Sequence, residues 1–276
     1  TDGLDRLKGA IANKYIIENS LKYEKKELIV AAGGKQVIFN ALMATLNLND
    51  EVIIPSPYWV SYPDIVKLCS GTPVIIPTDI KNGFKIKANH LEKSITSHTK
   101  WIILNSPANP SGSVYTEKEL IAICKVLDDF PHVNIISDDI YEHIIFDGLT
   151  FKNIVQINPK LKYRTLLVNG VSKAYAMTGW RIGYGAGHET LIEAMTTIQS
   201  QSTSNASSIS QHAAIEALEN TQEFIKANKL IYQKRRDKLV SILSQSKYLE
   251  VMKPMGSFYA LPSIQQLIEK KSINGK

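Results

Sequence analysis

The sequence predicts an α/β fold: a mostly parallel sheet flanked by helices, followed by the start of an incomplete C-terminal α+β unit. Short apolar runs bounded by turn residues recur along the chain, and segments with helical spacing lie between them. Runs that are apolar throughout suit strands covered on both faces, as in a doubly wound parallel sheet. From about residue 188 the pattern changes, and helical periodicity dominates to about 245.

In order, a helical period through Leu4, Leu7, Ile11 and Ile16 opens the chain, and ELIVAA (27–32) is the first strand-like run. A Gly33-Gly34 turn leads into a helix through Val37, Ile38, Leu42 and Leu46. EVIIP (51–55), PVIIP (73–77), WIILN (101–105), VNIIS (133–137) and TLLVN (165–169) read as buried parallel strands, with the helices between them as crossovers. After the helical stretch, SFYALP (257–262) is β-like, and the closing KKSINGK is too short to cover a new sheet. The expected division is a large ligand-binding α/β domain over 1–225, then a connecting helix and the start of a truncated small domain over 226–276.

The 276 residues are 44% hydrophobic and 21% charged, an ordinary globular balance. The net charge of +6 comes from lysines scattered along the whole chain, with no basic run interleaved with aromatics, so nucleic acid is not an expected partner. Cys69 and Cys124, each expected inside a helix, form neither a disulfide framework nor a metal-ligand spacing. No metal site, membrane span or signal peptide is expected, and a reducing cytoplasm is the expected location.

In open α/β sheets ligands bind outside the carboxyl ends of the strands, and unusual groups fall at those ends here. Gly33-Gly34-Lys35 joins a strand to a helix, where backbone amides can approach an anion. SPYWVSYP (56–63) places Trp59 just past a strand, and NSPANPSG (105–112) is a loop rich in turn residues. SDDIYEH (137–143) puts two aspartates at a strand end, where burial without a cation is costly. A helical turn there would set Tyr141 on the same side as Asp138. NGVSKAYAMTGWRIGY (169–184) sets Lys173 among small residues, with Arg181 eight places on. Together these suit one ligand with a phosphate, a flat ring, a basic ring nitrogen and a carbonyl. Arg181 and the glycine turn fit the phosphate, Trp59 the ring face, Asp138 the ring nitrogen and Lys173 a Schiff base. Pyridoxal 5′-phosphate is that ligand.

SPYWVSYP, NSPANPSG, SDDIYEH and SKAYAMTGWRIGY, following one another in that family's order, make the chain resemble the class I aminotransferases of fold-type I, most closely the bacterial aspartate aminotransferases. The resemblance implies a homodimer that exchanges amino groups between aspartate or glutamate and 2-oxo acids. It implies that Lys173 carries the cofactor and moves a proton. Asp138 is to hold the ring nitrogen protonated, Asn109 and Tyr141 are to bond the ring oxygen, and Trp59 is to stack on the ring. Arg181 and the backbone of Gly34 and Lys35 are to hold the phosphate. A serine that many members carry three places before the lysine is replaced by Gly170. Residues 189–222 contain no arginine or lysine to bind a substrate's distal carboxylate, so Lys35 is the candidate for it. Trp59 and Asn109 are also expected at the substrate.

The same resemblance implies that an arginine for the substrate α-carboxylate and an N-terminal lid lie outside this sequence, so that these residues alone would bind cofactor but transaminate poorly. Transamination of prephenate to arogenate is a close variant. An aromatic or alanine transaminase, a β-lyase, and a cofactor-sensing regulator domain are the other readings. The chain offers no helix-turn-helix candidate for the last.

Overall fold

The computed structural model describes residues 1–220 and 222–268. The KKSINGK tail lies outside them.

Helix α1 (Asp5–Asn19) ends where Ser20 turns left-handed at φ 56°. It buries Leu7, Ile11 and Tyr15, whereas Ile16, expected on the same apolar stripe, is 51% exposed. Strand β1 (Leu28–Ala31) passes through Gly33 into α2 (Gly34–Thr45). Then β2 (Glu51–Ser56), α3 (Ser61–Leu68), β3 (Thr72–Pro77), α4 (Ala88–Ser94) and β4 (Thr99–Asn105) alternate as expected. The pattern continues with α5 (Glu117–Asp129), β5 (Asn134–Asp138), the short α6 (Ile154–Ile157) and β6 (Thr165–Gly170). Thr116 starts α5 with a capping box, its hydroxyl accepting from the Glu119 amide while the Glu119 carboxylate accepts from the Thr116 amide. Cys124 sits inside α5, but Cys69 is the residue just past α3.

The strands form one seven-stranded sheet that includes β7 (Gly183–Ala186), in the order β1-β7-β6-β5-β4-β2-β3. Pairing is parallel from β3 across to β6, and β7 runs antiparallel to both β6 and β1. The sheet is therefore mostly parallel, with one reversed strand that its glycine-rich sequence did not announce. Successive residues of each strand enter opposite cores. Leu28, Val30, Ile53, Ile102, Leu104, Ile135 and Leu167 meet α1, α5 and α8 (Ser208–Asn220) on one face. Ile29, Val52, Ile54, Trp101, Ile103, Ile136 and Val168 meet α2, α3 and α7 (Glu189–Ser202) on the other. Both faces being covered is why the runs carry no polar alternation.

The long α9 (Gln222–Leu243) follows, and β8 (Glu250–Val251) pairs with β9 (Pro262–Ser263). The segment expected to be β-like is strand only at its end. Residues 254–259 instead pack on the sheet's loops, with an isolated bridge from Gly256 to Ile145.

Candidate active site

One pocket of about 200 Å³ opens at the carboxyl ends of the strands, and every candidate from the sequence lines it: Gly34, Lys35, Trp59, Asn109, Asp138, Tyr141, Lys173 and Arg181. Tyr62, Asn105, Ser172, Thr178 and Tyr259 join them.

At one end lies the first turn of α2, where Gln36 N–H bonds the Gly33 carbonyl (3.0 Å) and the Gly34 and Lys35 amides are the ones left to a ligand. Gly33 adopts φ 96°, and a Cβ there would lie 2.3 Å from Arg181 Nη2. A Cβ at Gly183 would lie 2.2 Å from the Gly34 nitrogen. Only glycines let the turn, the guanidinium and β7 meet so closely. Arg181, itself left-handed at φ 54°, donates from Nη1 to the Thr178 carbonyl (3.0 Å) and from Nη2 to the Ala32 carbonyl (3.2 Å). The result is a fixed cation beside free amides, a cradle for a phosphate. At Gly170 a Cβ would lie 2.7 Å from the Ile182 carbonyl oxygen, so any side chain there would need the backbone to shift.

At the other end β5 delivers Asp138, only 6% exposed. Its Oδ2 accepts from the Tyr62 hydroxyl at 2.6 Å and its Oδ1 from the Ile140 amide at 3.3 Å. Burial raises its pKa to about 6 despite the Tyr62 and Ile140 hydrogen bonds and the more distant charge of Lys173. Among the described residues no cation lies within ion-pair distance of it. Such a carboxylate calls for a cationic ligand atom. Asp139 faces elsewhere, accepting from Ser137 (2.7 Å) and Asn153 (3.2 Å).

Lys173 lies on the turn following β6, half-buried, with Nζ 5.8 Å from the Tyr141 ring centre and 5.7 Å from that of Phe258. Burial and then the positive Arg181 lower its pKa, while Asp138 opposes them. The neutral amine that a nucleophile requires is thereby easier to reach than on a free lysine. Tyr141 is on a non-helical turn rather than the helical one expected, with Glu142 N–H bonding the Asp139 carbonyl (2.9 Å) and Ile144 N–H the Tyr141 carbonyl (2.8 Å). Even so Tyr141 lines the same pocket. The Asn109 loop is held by Asn109 N–H on Asn105 Oδ1 (2.7 Å). Trp59 meets Tyr62 edge-on, and Lys35 Nζ sits 4.9 Å from the Trp59 ring centre at the pocket's rim.

Tyr62 and Tyr259 are the groups that sequence reasoning missed. Tyr62 stands in the quoted SPYWVSYP but read as filler. Tyr259, in SFYALP, carries no local signal. Its hydroxyl lies 3.1 Å from that of Tyr141 and accepts from Asn109 Nδ2 at 3.4 Å.

A lysine of lowered pKa, a buried unpaired carboxylate and an anion cradle at the strand ends of an α/β sheet define an enzyme domain for a small anionic substrate or cofactor. The sequence profile of the family described as "Aminotransferase class I and II" matches residues 1–274, and the chain belongs to that family. It is 57% identical over 275 residues to a probable aspartate/prephenate aminotransferase of Rickettsia typhi, covering 100% of this chain and 69% of that protein. The aspartate/prephenate aminotransferase of Cereibacter sphaeroides is 54% identical over 274 residues, covering 99% and 68%. The crystal structure of the aspartate aminotransferase of Rhizobium meliloti superposes with a TM-score of 0.98 at 49% identity, over 100% of this chain and 69% of that one. No helix among the described residues is long and apolar enough to cross a membrane.

Proposed function

We propose that this aminotransferase moves amino groups between aspartate or glutamate and 2-oxo acids, with pyridoxal 5′-phosphate as cofactor. The observation that carries the reading is Asp138, a buried carboxylate with no ion-pair partner among the described residues, across the pocket from an anion cradle. When bound, the cofactor supplies an aldehyde carbon that takes up the amino group and a protonated ring that draws electrons from the substrate's Cα. Asp138 keeps the proton on the ring nitrogen. Arg181 and the amides of Gly34 and Lys35 hold the phosphate, Trp59 lies against the ring, and Asn109 and Tyr141 donate to the ring oxygen. Lys173 Nζ would hold the cofactor, then take the proton from the substrate's Cα and deliver it to the cofactor's former aldehyde carbon. Lys35, at the rim over Trp59, is placed to meet a substrate's second carboxylate, with Trp59 and Asn109 beside it.

The names of the relatives support prephenate as a further amino acceptor, giving arogenate. The buried free thiols of Cys69 and Cys124 support a reducing cytoplasm, and a homodimer completes the reading.

The test loads the purified protein with pyridoxal phosphate and offers aspartate, glutamate, alanine and phenylalanine singly, following oxo-acid release by mass spectrometry. Aspartate and glutamate should lead, by about tenfold or more on the scale of one charge-assisted contact. A lead for alanine or phenylalanine overturns the substrate assignment. Failure to take up the cofactor overturns the whole reading.

A further inference from the structure

The two groups assigned above to the cofactor's ring oxygen converge here on a third that the reading does not use. Tyr141 Oη is 3.1 Å from Tyr259 Oη, and Asn109 Nδ2 donates to that same oxygen over 3.4 Å. We propose that Tyr259 is a positioning residue whose O–H donates to the Tyr141 oxygen, leaving the Tyr141 proton to face the ligand. The inference rests on the cofactor reading, since the ligand oxygen in question is the cofactor's.

The direction follows from which atoms can give protons. An amide N–H only donates, so the Tyr259 oxygen accepts from Asn109 and its own proton is free for Tyr141. The Tyr141 oxygen then accepts, and its single proton is left for an acceptor in the pocket. Burial holds the Tyr141 phenol far above its usual pKa, outweighing the lowering by Asn109, so that proton stays in place. A chain of hydroxyls polarises along its length and strengthens the last donor. A stronger donor favours the ionised ring oxygen over the protonated one.

The backbone clamps Tyr259 for this role. Met255 N–H and Gly256 N–H both donate to the Gly112 carbonyl, at 2.9 and 3.0 Å. Ser257 N–H donates to the Ile144 carbonyl (2.8 Å), and Phe146 N–H to that of Met255 (2.9 Å). A Cβ at Gly112 would lie 2.5 Å from Pro254 Cβ, and one at Gly256 2.7 Å from Pro107 Cγ. The segment is thus pinned between the Asn109 loop and the Tyr141 turn, with the Tyr259 ring edge-on to Tyr141 at 5.8 Å. Packing alone would need that ring but not its hydroxyl.

Tyr259→Phe keeps the ring and removes the hydroxyl. Wild type, Tyr259→Phe, Tyr141→Phe and the double variant are each loaded with pyridoxal phosphate, and the visible absorption is titrated with pH. The other titratable groups lining the pocket, Lys35, Tyr62, Asp138, Lys173 and Arg181, are common to all four. Tyr259→Phe should raise the midpoint of the colour change by about 0.5–1 pH unit, the scale of one hydrogen bond. In the Tyr141→Phe background it should add nothing. An unshifted Tyr259→Phe, or an equal shift with and without the Tyr141 hydroxyl, overturns the inference while leaving the cofactor reading intact. A wild type that gains no visible band overturns both.

Discussion

The turn after β5 carries two buried charge clusters, one facing the pocket and one facing α1, and they are built on opposite rules. Behind the turn, Glu142 pairs with the Lys14 ammonium and accepts from Asn19 Nδ2 (3.0 Å) and from Asn169 Nδ2. Lys14 also donates to Asn19 Oδ1 (2.9 Å) and lies 3.4 Å from Glu18, which in turn bonds His143 (2.8 Å). Burial pushes the Glu142 pKa up, yet Lys14 and the hydrogen bonds outweigh it and hold the carboxyl below its usual range. Glu18, Glu142 and His143 bring their ligand atoms within 4.8 Å of one another, but Lys14 already pairs with both carboxylates. On the pocket side Asp138 is as deeply placed, and burial prevails because no cation among the described residues lies within ion-pair distance of it. Depth is common to both clusters; pairing separates them. A buried charge with its partner in the chain holds the fold together, whereas one without a partner waits for a ligand.

The largest expected effect strikes the pocket. Lys173→Ala should lower transamination by about 10⁴-fold, the upper range for losing a group that both transfers protons and binds covalently. Borohydride should no longer fix cofactor to the chain; labelling at unchanged stoichiometry would assign attachment to another lysine. Asp138→Asn should lower turnover on the order of 10²–10³-fold while stabilising the cofactor-free protein. The Asp138 pKa, about 6 against its usual 3.8, is raised on folding, so its contribution is most favourable below about pH 4 and is lost as pH rises through 6. Asparagine cannot ionise, so urea denaturation at pH 8 should show a gain of about 1–3 kcal/mol that vanishes by about pH 4. A loss at pH 8 would break the comparison on its pocket side.

Lys14→Met attacks the other cluster and should cost about 3–5 kcal/mol by stranding Glu142, with Glu142→Gln as a second change recovering much of it. The Glu142 pKa is lowered on folding, so its contribution is present above its usual 4.5 and lost as pH falls through the folded value. Wild type and Lys14→Met should therefore converge in acid, which denaturation against pH would check. The smallest effect belongs to Lys35→Gln. KM for aspartate should rise about tenfold, with alanine unaffected, since one exposed charge-assisted contact is removed. An equal change for both substrates would sharpen the comparison by making Lys35 a phosphate contact alone.

Much of the sheet was legible because its strands are apolar on both faces and flanked by turn residues. β7 was not, because Gly183 and Gly185 leave no apolar run and its strand identity comes from pairing with β1 and β6. SFYALP carries aromatic residues that suit a strand, yet its Ser257 N–H bonds the Ile144 carbonyl, the Met255 and Gly256 amides just before it bond that of Gly112, and only its last residue, Pro262, pairs as a strand. Lys173, Asp138, Asn109 and Arg181 stood out because each sits in a short stretch whose chemistry is odd for its surroundings. Tyr62, Tyr259 and Lys14 are ordinary residues in ordinary helical or aromatic stretches. Their partners, Asp138, Tyr141 and Glu142, are distant in the chain, and only the folded path brings them together.

The place of β7 in the sheet also sets an order of events during synthesis. Strands β2 to β6 emerge with a neighbour already made or soon to follow, but β1 is an edge strand whose single neighbour is β7, about 150 residues downstream. Until that reversed strand leaves the ribosome, β1 stands unpaired and the glycine turn after it has nothing to lean on. Gly183 and Arg181 arrive together, so the same insertion that closes the sheet also finishes the phosphate end of the pocket. A growing chain therefore lacks the anion cradle at Gly34 and Lys35 until β7 is in place.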